Sequence, residues 1–213
     1  MNLVEAITNM FKNKVIDNLN FIFKGFLAGL LISLGGIAFL QVENKIIGSV
    51  LFSIGLIAVI IMEANLYTGK IGYATNLVKA KAAAMIMIAN LITAFLVGLL
   101  FKSVYGEQLL WATKLTKSIG QVLFDSVLCG MCIYIAVECY KKTKSLIPVI
   151  LGVVVFILAK GDHIIANAFY CAAGTVTWKG IGYLALTGIG NTVGSLLVRG
   201  LQIGINHEIC QDR

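Results

Sequence analysis

The chain has 213 residues, of which 59% are hydrophobic and only 13% charged, where a soluble domain is roughly a quarter charged. This excludes a soluble domain; at about 20 apolar helical residues per crossing of a hydrocarbon core about 30 Å thick, the length accommodates about six spans and no separate soluble catalytic domain. The net charge of +7, from 17 Lys+Arg against 10 Asp+Glu, is carried mostly by residues flanking apolar runs, where topology and anionic lipid account for it and no nucleic-acid partner is expected.

The N-terminus, MNLVEAITNMFKNKVIDNLNFIFK, lacks a continuous apolar stretch and a small-residue cleavage site, so it reads as part of the mature chain rather than a signal peptide. Within residues 1–20, Leu3, Val4, Ile7, Phe11, Val15 and Leu19 recur at helical spacing among Asn, Asp and Lys. This predicts an amphipathic helix along a membrane surface.

Six apolar runs follow, at 22–41, 46–68, 82–104, 118–140, 146–173 and 180–203. With the N-terminus inside, eleven basic residues, among them Lys24, Lys70, Lys141 and Lys144, fall on the inner side and five, Lys45, Lys102, Lys114, Lys117 and Lys179, on the outer. The bias predicts a multi-pass protein of the cell membrane with both termini in the cytoplasm. Cys129 and Cys132 form a CxxC in run four with no second pair and no nearby histidine, so the cysteines read as small buried hydrophobes, and no metal site or cofactor is expected.

Two runs are interrupted. The second breaks at Asn65-Leu66-Tyr67-Thr68-Gly69-Lys70 and is expected to resume as a short helix from Gly72 to Leu77; the fifth carries Lys160-Gly161-Asp162-His163 and resumes at Ile164. Polar backbone at membrane depth is tolerated only where protein buries it or it lines an aqueous cavity. A weak repeat relates Ala89-Asn90-Leu91 to Gly190-Asn191-Thr192, 101 residues on. Three spans separate the copies, so residues 22–104 and 118–203 read as inverted halves of one channel domain, each with a broken helix, the layout of proteins with a midplane site.

His163, the only histidine in the apolar region, is either a buried imidazole bonded to backbone or, as an intramembrane ionisable group, part of a site; the second reading is preferred. Neutral, it donates a hydrogen bond to a small anion; protonated, it neutralises one or hands over its proton. Thr68, at the matching break, offers a hydroxyl, or simply caps a helix.

Four segments then carry a resemblance. Lys24-Gly25-Phe26-Leu27-Ala28-Gly29 with residues 32–35, Asn65-Leu66-Tyr67-Thr68-Gly69, Asp162-His163-Ile164-Ile165-Ala166-Asn167 and Gly190-Asn191-Thr192-Val193-Gly194 resemble, in order, the signature segments of the formate/nitrite transporter family. The resemblance implies an all-helical homopentamer of six-span, aquaporin-like protomers passing small monovalent anions of weak acids such as formate, nitrite or hydrosulfide, with proton coupling in some members. It places His163 at the centre of the pore with Thr68 as partner, and Asn167 and Asn191 beside them. Phe52, Leu56 and Phe156 would form a cytoplasmic constriction, Leu66 and Tyr67 an outer one, and Lys24 and Lys144 a cytoplasmic vestibule.

The chain departs from the family pattern at Asn65, Tyr67, Asp162 and Gly130. Tyr67 adds a hydroxyl to its constriction. Glu63 and Lys160 stand where the family usually has small residues, as a mutually neutralising pair or, with Asp162, as a modified proton or anion station. The short connection from Cys171 to Gly180 predicts a shallow outer vestibule. An aquaporin-like channel for a small neutral solute is the alternative; an enzyme is disfavoured, for want of a cofactor motif or metal-spaced histidines.

Overall fold

The structure, a computed structural model, describes residues 3–211, and the side chains of residues 19–204. All its regular elements are helical: α1 (Leu3–Leu40), α2 (Lys45–Ile61), α3 (Tyr67–Lys70) with a 3-10 turn at Ile71–Tyr73, α4 (Leu77–Tyr105), α5 (Leu109–Lys114), α6 (Ile119–Thr143), α7 (Ile147–Leu158), α8 (Ile164–Ala173) and α9 (Trp178–Gln211). Four stretches are long and apolar enough to cross a membrane: Leu19–Leu40, Leu77–Tyr105, Ile119–Thr143 and Trp178–Gly204. Large apolar side chains such as Leu100, Phe124 and Leu201 point outwards from them, as a lipid-facing surface requires.

The ends of the helices follow local chemistry. Asn44 caps α2 by accepting from the Ile46 and Ile47 amides, Asn76 caps α4 through the Lys79 amide, and Ser118 with Gln121 forms a reciprocal capping box on α6. At the other end of α6, Lys144 closes the helix in a left-handed conformation, φ 59°. The amphipathic N-terminal segment is continuous with the first span in α1; the orientation of its Leu3, Ile7 and Phe11 face lies outside the described side chains.

Helix α1 packs on α2 and α4, helix α6 on α7 and α9, and α2 against α7. The two short helices cross between these groups, because α8 lies mainly against α4 while α3 touches α6 and α9 as well as α4. Close approach depends on glycine at Gly130 and Gly194, where an added Cβ would overlap the carbonyl oxygens of Asn191 and Val127. Cys129 and Cys171 are buried free thiols, consistent with small apolar packing residues.

Run two leaves helical geometry at Met62 and resumes at Tyr67, five residues before the expected start of the short helix at Gly72, and its helical turns end at Tyr73 rather than Leu77. The displaced boundary has a simple cause: Asn76 caps the long helix α4, so Leu77 belongs to the next span. The connection after α4 also carries helix α5, which periodicity did not reveal because it is only six residues long.

Candidate functional site

Where α2 and α7 stop, the chain turns in the same way twice. Met62 and Ala159 end the helices, Glu63 (φ 51°) and Lys160 (φ 62°) adopt left-handed backbone, and Leu66 (φ −97°, ψ 128°) and His163 (φ −103°, ψ 120°) are the extended caps that start α3 and α8. Such interruptions strand backbone donors and acceptors that need partners in a low-dielectric interior.

Two buried asparagines supply them. Asn90 Nδ2 donates to Gly25 O (2.7 Å) and Asn65 O (2.9 Å), while its Oδ1 accepts from Tyr67 N (2.9 Å). Asn191 repeats the arrangement: Nδ2 donates to Ser126 O (2.8 Å) and Asp162 O (2.8 Å), and Oδ1 accepts from Ile164 N (2.9 Å). This corrects the expectation that Asn191 lies beside the substrate path, since its amide is fully spent on backbone. Asn90, which the sequence reading used only to mark the repeat, has the same task.

The braces bring Thr68 and His163 together. Thr68 Oγ1 lies 2.8 Å from His163 Nε2, and the residues are 0% and 2% exposed. The Ala166 amide donates to His163 Nδ1 (3.2 Å), so in the neutral imidazole Nδ1 is the acceptor and the proton belongs on Nε2. That proton points at Thr68 Oγ1, which leaves the threonine hydroxyl hydrogen free to donate elsewhere.

A cavity opens on each side of this contact. One, of about 410 Å³, is lined by Lys24, Leu56, Glu63, Leu66, Val137 and Lys141. The other, of about 610 Å³, reaches His163 and Asn167 past Phe52 and Phe156 and is rimmed by Lys45, Lys114, Lys117, Lys160 and Asp125. Phe52 and Phe156 meet edge to face with centroids 6.1 Å apart, and the Phe156 ring lies 6.3 Å from that of His163.

Several expectations about the pore change accordingly. Phe52 and Phe156 share a cavity with Lys45, Lys114 and Lys117, not with Lys24, and Leu56 parts from them to join Leu66 on the Lys24 side. Phe52 and Phe156 thus lie on the cavity away from Lys24 and Leu66 on the cavity with it, the reverse of the expected placement, and Tyr67 lines neither. Glu63 and Lys160 do not pair: Glu63 lies 3.8 Å from Lys24 on one cavity, and Lys160 opens into the other, with no ion pair among the described residues. The Tyr67 hydroxyl is engaged with Thr192 Oγ1 at 2.5 Å, so it does not add a free polar group to its constriction. Lys144 lines neither cavity, its ammonium sitting 5.7 Å from the Tyr140 ring centroid. The 610 Å³ cavity takes part of its wall from α5, through Leu110, Thr113 and Lys114.

Sequence reasoning missed the groups that hold Asp162. This carboxylate, fully buried, accepts from Lys114 Nζ (2.6 Å), Lys117 Nζ (2.7 Å), the Tyr183 hydroxyl (2.7 Å) and Asn167 Nδ2 (3.1 Å). It is an anchored anion with four partners rather than a loose charge in the pore. Lys114 and Lys117 look like topology markers in the sequence; Asp125, a carboxylate inside an apolar run, was the readable signal. Asn167 Oδ1 is buried without a partner. Nearby, the connection is tied to the end of α8 by Gln108 N on Ala173 O (2.9 Å), Lys102 Nζ on Gly174 O (2.5 Å) and a Glu107–Thr175 hydrogen bond. The Thr175 hydroxyl, then Lys102, hold the Glu107 carboxyl below its ordinary range. Among the described residues, no group of three or more His, Cys, Asp or Glu is placed to hold a metal ion.

With this geometry, the comparisons are decisive. The profile of the family described as Formate/nitrite transporter matches residues 2–203. The chain belongs to the formate/nitrite transporter family. It is 29% identical over 215 residues, 83% of this chain and 81% of the relative, to YrhG, an uncharacterized transporter of Bacillus subtilis (strain 168). Among solved structures it resembles an ion channel of the same family, with TM-score 0.79 and 21% identity over 91% of this chain and 92% of that one. A pentameric formate channel with formate bound matches with TM-score 0.64 and 16% identity over 91% of this chain and 95% of that one. The fold is thus that of these channels, and the chain is a multi-pass membrane transporter, not an enzyme.

Proposed function

We propose that this member of the formate/nitrite transporter family is a channel for small monovalent anions of weak acids, formate, nitrite or hydrosulfide, with Thr68 and His163 as its central polar station. The observation that carries the reading is the buried 2.8 Å contact between Thr68 Oγ1 and His163 Nε2, with one cavity on either side. The matched bonds of Asn90 and Asn191 support two inverted halves, 22–104 and 118–203, in a single six-span domain with helices two and five broken. The pentameric relative supports a homopentamer, and the lysine bias supports cytoplasmic termini in the cell membrane. Lys24 then marks the cytoplasmic cavity, and Lys114 and Lys117 the outer one.

The mechanism follows from charge and water. Basic residues, Lys24 at one mouth and Lys45, Lys114 and Lys160 at the other, concentrate anions. Leu56, Leu66 and Tyr67 on the cytoplasmic side, and Phe52 and Phe156 on the outer, strip hydration and penalise a permanent charge. Between them the anion meets the free Thr68 hydroxyl hydrogen, backed by the imidazole proton, and a weak acid lowers its remaining barrier by taking up a proton. Chloride has no such route. Asn167, with an unpartnered Oδ1 on the outer cavity, accepts a hydrogen bond from the protonated acid.

Proteoliposome flux of formate, nitrite and hydrosulfide, measured beside chloride, water and glycerol between pH 5 and 8, tests this. The weak acids should pass, with flux rising as pH falls towards the substrate's own pKa. Glycerol or water flux without formate or nitrite flux would overturn the reading.

A further inference from the structure

The two lysines that follow one another at the outer cavity, three residues apart, are not equivalent. Lys117 Nζ has three acceptors, Lys160 O at 2.9 Å, Asp162 Oδ2 at 2.7 Å and Asp125 Oδ2 at 2.8 Å. An ammonium has three N–H groups, so this one is saturated. Lys114 Nζ contacts only Asp162 Oδ1, at 2.6 Å, among the described residues, and two of its N–H groups remain for the cavity it lines.

We propose that Lys117 is a positioning residue: it clamps the turn Lys160–Asp162 to α6 and so fixes the place at which His163 meets Thr68, while its charge takes no part in attracting the anion. The proposal rests on the functional reading above only for the flux it affects. Three observations carry it. Lys160 stands in left-handed backbone at φ 62°, a conformation that persists in a non-glycine residue where surroundings hold it, and Lys117 grips its carbonyl. The Asp162 amide also donates to Asp125 O (3.2 Å), so Lys117 closes a ring on a junction already made by backbone.

The first break shows the contrast. Asn65, at the position matching Asp162, needs no cation, because its Nδ2 donates directly to Phe21 O (3.1 Å) and its amide to Lys24 O (2.9 Å) on α1. A neutral tie suffices there. With an aspartate in its place the side chain at the second break cannot donate to a helix carbonyl, and a cation inserted between the Asp162 and Asp125 carboxylates does that part of the joining. A buried ionic junction of this kind gives geometry, and removing one partner disrupts it strongly.

The test uses the full-length protein in proteoliposomes, with Lys117→Met, Lys117→Arg, Asp125→Asn and the double variant Lys117→Met/Asp125→Asn. Amide hydrogen exchange over residues 157–163 and flux of formate and nitrite are the readouts, at matched oligomer mass. Lys117→Met should speed exchange in the turn and lower flux of both anions by about tenfold or more, as displacement of a reacting group does. Lys117→Arg should recover part of both. The double variant restores the net charge without the clamp and should stay slow; recovery of flux there would assign Lys117 to charge alone and overturn the proposal. Should Lys117→Met fail to assemble, Asp125→Asn, which cuts one of three ties, should still speed exchange in the turn, and unchanged exchange in it would overturn the proposal. Because exchange reports the turn whatever is transported, faster exchange in variants of a protein that passes neither anion would sustain the clamp and sink only the functional reading.

Discussion

Thr68 Oγ1 and His163 Nε2 approach to 2.8 Å although 95 residues separate them, and each stands at the start of a short helix that follows an interrupted one. Because the Ala166 amide occupies His163 Nδ1, the imidazole donates and the threonine accepts. The contact therefore has a direction, from the histidine through the hydroxyl to the path.

That direction ranks the variants. His163→Phe keeps ring bulk and removes both nitrogens, so the Thr68 hydroxyl that a dehydrating anion meets loses the imidazole proton that polarises it from behind. Flux of formate and nitrite should fall by more than the tenfold that about 1.4 kcal/mol of barrier represents. Thr68→Val should cost less, since the Nε2 proton is then released towards the path, and Thr68→Ser should stay near wild type. Flux in proteoliposomes, at equal oligomer mass, checks the order; wild-type flux through His163→Phe would remove the residue from the mechanism.

The asparagine braces make a stability prediction. Truncating Asn191 to Ala strands the Ile164 amide and the Asp162 carbonyl in a buried setting, at about 1–3 kcal/mol for each unsatisfied group. Asn90→Ala strands the Tyr67 amide and the Asn65 carbonyl in the same way. Both variants should lose thermal stability, by similar amounts, as read by oligomer survival on size exclusion after stepwise heating. A large loss for one and none for the other would show that the two breaks are not held alike.

Much of this site was legible because membranes make polar residues conspicuous. A single histidine within an apolar run, a threonine at a second interruption and two asparagines 101 residues apart each stand out against leucine and valine. The placement of the constrictions was legible too: Phe52 lies seven residues past Lys45, about 10 Å at 1.5 Å per helical residue, and so on the Lys45 side, with Leu56 one turn deeper. Lys114 and Lys117 were not legible, because a lysine at a span edge has the same local sequence whether it faces water or reaches a carboxylate 45 residues on. Helix α5, which aims them, has only six residues and too little periodicity to register.

Glycine substitutions separate packing from backbone freedom. A Cβ at Gly130 would overlap the Asn191 carbonyl oxygen, which is backbone and cannot swing away, whereas Gly200 has open space around it. Gly130→Ala should push α6 from α9, loosen the Asn191 brace and lower both thermal stability and flux. Gly200→Ala, within α9 and unobstructed, should be neutral or stabilising, since glycine costs about 0.5–1 kcal/mol relative to alanine inside a helix. Heated-oligomer assays on the two variants decide it, and equal behaviour would contradict the close approach of α6 and α9.

The mouth on the Lys24 side carries the last prediction. Glu63 reaches Lys24 at 3.8 Å, with the two side chains 83% and 45% exposed, so the pair adds little to stability, about 0–1 kcal/mol at most for such a pair. Its effect is on the field: a carboxylate beside the ammonium opposes the attraction an approaching anion feels. Glu63→Gln should therefore raise flux from that side at low ionic strength, and Lys24→Met should lower it, without change in assembly. Both effects should shrink towards 0.15 M salt, where screening sets in over about 8 Å. Lys160→Met acts on the other cavity, so in sided flux assays it should reduce entry from the Lys114 face and leave entry from the Lys24 face unchanged. Identical salt profiles for wild type and Glu63→Gln would mean that the anion enters without passing this pair.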